Sequence, residues 1–174
     1  MDKGKIRIIT LPVSSWQEYK ELRLRALQKE PLAFYSSYEK EASWSDEKWR
    51  QSLQDAIDGD SWLYFASANG KLVGMIGGFG DELDRKNYRV YLWGMYVDGF
   101  FRRKGIAYAL AKRLLCELNK REKIHVVCLE VNPNQVFAVK LYEGLGFRKV
   151  GVETFVIGDG LPHEFTVMEK ILRL

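Results

Sequence analysis

Hydrophobic positions along this chain switch between a period of two and a period near 3.6, and that switching predicts a mixed α/β order. Residues 6–10 alternate loosely and are β-branched, which predicts a first strand. Ser14 or Ser15 supplies a cap for a helix over 16–29, with Tyr19, Leu22, Ala26 and Leu27 on its inner face and Pro31 as its stop. Residues 32–42 are aromatic and irregular. Ser45 opens a second helix that runs to about 57 and ends at Asp58-Gly59, with Asp46 and Glu47 suiting its first turn. A hairpin follows. Residues 62–66 and 71–76 read as strands, and Asn69-Gly70 reads as a type I′ turn, because both residues accept positive φ.

Residues 81–87 form a charged loop before a fourth strand over 89–97. An amphipathic helix over 104–121 carries Ile106, Ala107, Leu110, Ala111, Leu114, Leu115 and Leu118 on one stripe. A strand over 126–131, a helix over 135–145 ended by Gly146, and two strands over 148–157 and 164–172 around Gly158-Asp159-Gly160 complete the order. Strand–helix–strand units in the second half place this order in the mixed α/β class.

Composition narrows the class further. A length of 174 residues suits one domain spanning 1–174, and 47% hydrophobic with 29% charged residues is a globular balance. No apolar run approaches the ~20 residues needed to cross a bilayer. The basic start leads into only a short apolar stretch, so no signal peptide and no membrane partner are expected. Two cysteines make no disulfide framework and point to a cytoplasmic protein with reduced thiols; Cys116 and Cys128 both read as core residues. His125 and His163 stand isolated, so no metal site is expected. The net charge of +4 is a mild excess, and acids are spread too evenly for a nucleic-acid partner.

The passage from the fourth strand into the long helix carries the chemistry. A helix N-terminus offers free N–H groups and about half a positive charge. Here Gly105 lets a phosphate approach the backbone, Ala107 keeps the next inward position small, and Arg102, Arg103 and Lys104 add cations. No Gly-x-Gly-x-x-Gly and no Gly-Lys-Ser/Thr is present, which excludes the dinucleotide and phosphate-loop fingerprints. The same segment also fits a plain loop with solvated cations. Thirty residues on stand Asn134, Ala138, Tyr142, Gly146 and Phe147, each of which also has a local reading as cap, packing residue or helix stop.

Taken together, Val97 followed by Arg102-x-x-Gly105-x-Ala107, then Asn134, Ala138, Tyr142 and Gly146-Phe147, resembles the GCN5-related N-acetyltransferase (GNAT) family. The resemblance covers 62–150 by motif and the flanks by element order. It departs at Gly99, where the family often has Pro, and at Ala107, where it often has Gly. It implies a central, mostly antiparallel seven-stranded sheet splayed between strands 4 and 5, flanked by about four helices. It implies acetyl-CoA as co-substrate, with the pyrophosphate on Arg102, Arg103, Lys104, Gly105, Ile106 and Ala107. The pantetheine arm would then pair with the backbone of Met95, Tyr96 and Val97 and meet Asn134, Ala138 and Tyr142. Asn134 and Tyr142, eight residues apart, would share a helix face about 12 Å long.

The implied activity is acetyl transfer to a primary amine of a small molecule or amino-acid-like acceptor, by direct attack in a ternary complex. Tyr142 is the expected acid, donating to the leaving sulfur. Glu130 is the expected base, although it also reads as an outward strand residue; Asp81 and Glu82 are further options. The need for a base depends on the acceptor. A lysine-like amine is neutral in about 1 in 2,500 molecules at pH 7, and an α-amine near pKa 8 in about one in ten. Phe34, Tyr35 and Glu39 are candidate acceptor contacts from the aromatic, acidic stretch. A peptide acceptor (a protein N-terminus or lysine) and a non-catalytic acyl-CoA-binding module stay open, as does a monomer or a homodimer.

Overall fold

A computed structural model describes residues 6–59, 61–80 and 88–173. Its seven strands form one sheet in the order β1-β2-β3-β4-β5-β7-β6: β1 Arg7–Ile9, β2 Ser61–Ala68, β3 Lys71–Gly80, β4 Tyr88–Val97, β5 Ile124–Val131, β6 Arg148–Val156 and β7 Pro162–Ile171. All pairs are antiparallel except β4 with β5. Helices α1 (Trp16–Lys29) and α3 (Asp46–Asp58) cover one face, with the short α2 (Tyr38–Ala42) beside α1; α4 (Ile106–Asn119) covers the other, and α5 (Val136–Gly144) follows β5. No helix among the described residues is long and apolar enough to cross a membrane.

Local chemistry explains most boundaries. Asn69 and Gly70 both take positive φ, 50° and 76°, and bring Ala68 opposite Lys71. The Ser45 side chain accepts from the Lys48 amide at 3.3 Å, and Gly59 ends α3 in the left-handed region. α1 differs from expectation: a single 3₁₀ turn over Val13–Ser15 leads into it, and Ser15 makes no side-chain cap. α2 lies inside the stretch that reads as irregular, capped by Ser37 onto the Lys40 amide at 3.2 Å. Five residues are too few to leave a helical period in the sequence.

Two layers of core hold the sheet. Leu110, Ala111, Leu114 and Leu118 of α4 are fully buried against one face, each leucine contributing about 1.5–3 kcal/mol. Tyr19, Leu22 and Leu27 of α1 with Trp49 and Leu53 of α3 fill the other. β3 runs on to Gly80, four residues past its expected end. Its glycines disguise it as a loop, yet Gly77 is where the Trp93 indole lies across the strand, and a β-carbon there would collide with the indole. Cys128 is buried, with its thiol pushed up to about 11 by burial. Cys116 is exposed on the flank of α4, which corrects its expected place in the core.

Candidate active site

The site begins where the sheet comes apart. β4 and β5 pair only from Tyr88 to Tyr91, opposite Ile124 to Cys128. Beyond Tyr91 they diverge, and one edge of β4 over 92–97 has no strand partner. A bulge drives the divergence. Gly94 takes φ +66°, the register with β3 slips between Met75 and Gly77, and β4 bends as its local twist increases. A cleft of about 610 Å³ opens there, lined on one side by Leu92, Trp93, Gly94 and Met95, and on the other by Leu129, Glu130, Val131, Ala138 and Tyr142.

At one end of β4 stands the turn over 98–105. Arg103 and Gly105 both take positive φ, 60° and 76°. The first helical bond of α4 runs from the Ala109 amide to the Gly105 carbonyl at 2.9 Å. Amides 103–108 therefore have no backbone acceptor among the described residues, and they sit at the positive end of α4. Such a cradle fits a pyrophosphate. The cations divide their roles. Arg102 donates through Nε to the Val97 carbonyl at 2.8 Å and through Nη2 to Glu30 at 2.5 Å, so it braces the turn. Lys104 donates to the Phe100 carbonyl at 2.9 Å. Arg103 makes no ion pair among the described residues and is the cation left for a ligand.

The strand residues sort by face. Ile106 is buried beneath the cradle and Ala107 packs beside it. Met95 lines the cleft. The Tyr96 side chain points away from α4: its hydroxyl donates to Asp98 at 2.8 Å, and Asp98 in turn receives Arg25 at 3.0 and 3.1 Å. Burial and that carboxylate push the Tyr96 phenol up to about 12. The Val97 carbonyl faces the other way from β3 and is already taken by Arg102, while the Tyr96 carbonyl lies against Gly74 of β3.

Tyr142 and Glu130 approach the cleft from opposite layers. Tyr142 is 6% exposed, edge-on to Phe147 at 5.7 Å, and burial alone raises its phenol. Leu129 and Val131 face α4, so alternation turns Glu130 to the other face. There it lies near Tyr35; burial, then the charge of Glu153, raise its carboxyl above the usual range against the lowering by Tyr35. Tyr35 also packs against Phe155 and Phe165 at 4.9 and 5.3 Å, and its own phenol is raised by burial and by Glu130. Phe34 is buried and lines the same cleft. No group of three metal-binding side chains occurs among the described residues.

Two expected contacts lie elsewhere. α5 starts at Val136, so Asn134 precedes the helix, is exposed and cannot share a face with Tyr142. Asn132 and Gln135 line the cleft in its place, and buried Asn132 accepts the Asn134 amide at 3.0 Å. Glu39 is exposed on α2; its neighbour Glu41 is 2% exposed and pairs with Arg23 at 2.6 Å. Asp81 and Glu82 lie outside the described residues. Arg23 and Trp93 line the cleft without a local sequence signal, because only the tertiary fold brings α1 to β4.

Comparison with known proteins agrees with this geometry. Residues 22–147 match the family model described as the acetyltransferase (GNAT) family. The N-acetylaspartate synthetase of Xenopus tropicalis is 37% identical over 111 residues, 64% of this chain and 39% of that protein. The chain thus spans well under half the length of that curated relative. An acetyltransferase of the GNAT family from Streptococcus pneumoniae superposes with a TM-score of 0.81 at 18% identity, covering 96% of this chain and 99% of that one. The yncA protein of Salmonella typhimurium, solved with its cofactor acetyl-CoA, gives 0.78 at 16% identity, with 98% and 96% covered. With the family model spanning more than half of its length, this chain belongs to the acetyltransferase (GNAT) family.

Proposed function

We propose that this chain moves an acetyl group from acetyl-CoA to the primary amine of a small, amino-acid-like acceptor. The observation that carries the reading is the divergence of β4 from β5 beyond Tyr91, which puts Tyr142 and Glu130 on one cleft. Amides 103–108 and Arg103 would hold the pyrophosphate, and the open edge of β4 at Met95, Tyr96 and Val97 would take the pantetheine as an added strand. Ala138 leaves room beside Tyr142. Acetyl-CoA supplies the acyl group as a thioester.

The protein's part is proton handling and placement. The amine nitrogen bonds to the thioester carbon, the carbon–sulfur bond breaks, and the amine proton passes to Glu130. A carboxyl raised by burial and Glu153 is a better match to that task near neutral pH than an ordinary one. Tyr142, held protonated by burial, donates to the departing sulfur. Phe34 and Tyr35 flank the acceptor. That the X. tropicalis relative is called an N-acetylaspartate synthetase supports an amino-acid-like acceptor for this chain.

The test is thiol release from acetyl-CoA with a panel of amines, amino acids and N-terminal peptides. Turnover of small amines or amino acids supports the reading. Turnover of peptides alone would move the acceptor to proteins. Tight acetyl-CoA binding with no turnover would make the chain a binding module.

A further inference from the structure

Three buried side-chain polar atoms among the described residues have no partner, Arg23 Nη1, Ser36 Oγ and Trp49 Nε1, and the first two belong to residues lining the acceptor half of the cleft. Arg23 is 5% exposed. Glu41 takes one edge of its guanidinium, accepting from Nε at 2.9 Å and from Nη2 at 2.6 Å. The other edge, Nη1 with the second hydrogen of Nη2, is a planar two-donor fork of the shape a carboxylate fits. The guanidinium lies over the rings of Phe34 and Trp93, at 4.8 and 5.4 Å from their centroids, so packing fixes its direction. Nη1 sits beneath the bulge: a β-carbon on Gly94 would touch it at 3.7 Å.

An ion pair that only braced α1 against α2 would not need a charged donor left open in the interior, where an unmade hydrogen bond is costly. Glu130 and Glu153 supply the opposite pole, on β5 and β6. The acceptor half thus has an acid-receiving end on α1 and an amine-receiving end on β5. Because Glu41 balances the charge of Arg23, recognition at the first end is by directed hydrogen bonds, which favours a planar carboxylate.

We propose that the acceptor carries a carboxylate close to its amine, received by the open fork of Arg23 with support from Ser36. This rests on the reading of acetyl transfer to an amino-acid-like acceptor and adds to it the group that receives the acceptor's carboxylate and thereby selects it. The experiment compares amino acids with their carboxamides, with the matching decarboxylated amines and with a polyamine, at saturating acetyl-CoA. The acids should exceed their carboxamides in kcat/KM by roughly 10- to 100-fold, expressed in KM. In Arg23→Met/Glu41→Met, which removes both charges so that neither is stranded, the preference should fall to within about threefold while the KM of acetyl-CoA holds. Arg23→Lys, which keeps the charge and loses the fork, and Ser36→Ala each should lower the preference in part, and both remain informative if the double variant does not fold.

Carboxamides or polyamines turned over as well as the acids would overturn the proposal, as would a preference that survives loss of the fork. Absence of turnover with every amine sinks the acetyl-transfer reading instead. Calorimetry of the same acids and amides on protein loaded with coenzyme A then decides the role of Arg23: acid-selective binding that Arg23→Lys weakens upholds it, and unselective or absent binding refutes it.

Discussion

Substituting Gly105 by alanine isolates the geometry of the coenzyme turn. Gly105 caps α4 at φ +76°, and nothing lies within 4 Å of where its β-carbon would go. Steric collision therefore contributes nothing, and the cost is that of holding an L-residue in the left-handed region, about 1–2 kcal/mol. For a chain of this size that is a fall in Tm of roughly 2–8 °C. If the backbone relaxes instead, amides 106–108 rotate out of the cradle and the loss appears in acetyl-CoA binding, roughly tenfold for each 1.4 kcal/mol. Thermal melting with and without acetyl-CoA, together with calorimetric titration, separates the two. Gly99→Ala is the internal control, since Gly99 has an ordinary φ and equal space around it, and should stay within about 0.5 kcal/mol of the parent. A Gly105→Ala protein that matches Gly99→Ala in both Tm and coenzyme affinity would refute the strained cradle.

Other consequences are equally concrete. Tyr142→Phe keeps the buried ring and removes only the hydroxyl, so kcat should fall roughly 10²–10⁴-fold with acetyl-CoA affinity unchanged in calorimetry; an unchanged kcat removes its role as acid. Glu130→Gln should lower kcat and yet stabilise the fold. Its carboxyl is raised in the folded state, so ionisation works against folding: the gain in Tm should be absent below the ordinary carboxyl range, grow as pH climbs to the raised value, and then stay level. A gain largest in acid would reverse that sign. Leu114→Ala, at a fully buried position in the α4 face, should cost about 2–5 kcal/mol in denaturant unfolding without altering m.

What the sequence discloses and what it hides follow from distance along the chain. The Asn69-Gly70 hairpin, the α4 stripe and the basic turn before it are local patterns, written within a few neighbouring residues. The splay is different. Its cause is the bulge at Gly94, and a glycine in a strand does not announce which side it will open. The acceptor end is more hidden still. Residues 34–42 supply acids and aromatics in a row, but selection between Glu39 and Glu41 is made by Arg23, eighteen positions earlier. A similar substitution occurs at α5. Asn134 has the residue type of a cap, while the chain turns earlier, about Asn132, and brings Asn132 and Gln135 to the cleft. Cation counting also overstates the turn, because Arg102 spends its donors on Val97 and Glu30.

The proposed acetyl transfer requires the coenzyme to lie along the open edge of β4 with its phosphates at α4. An amide-resolved NMR titration of the protein with coenzyme A reads that directly. The largest shifts should fall on amides 95–97 and 103–108, with Tyr142 and Ala138 following and β6 unmoved. Saturable binding whose shifts leave those two segments unchanged would contradict the account.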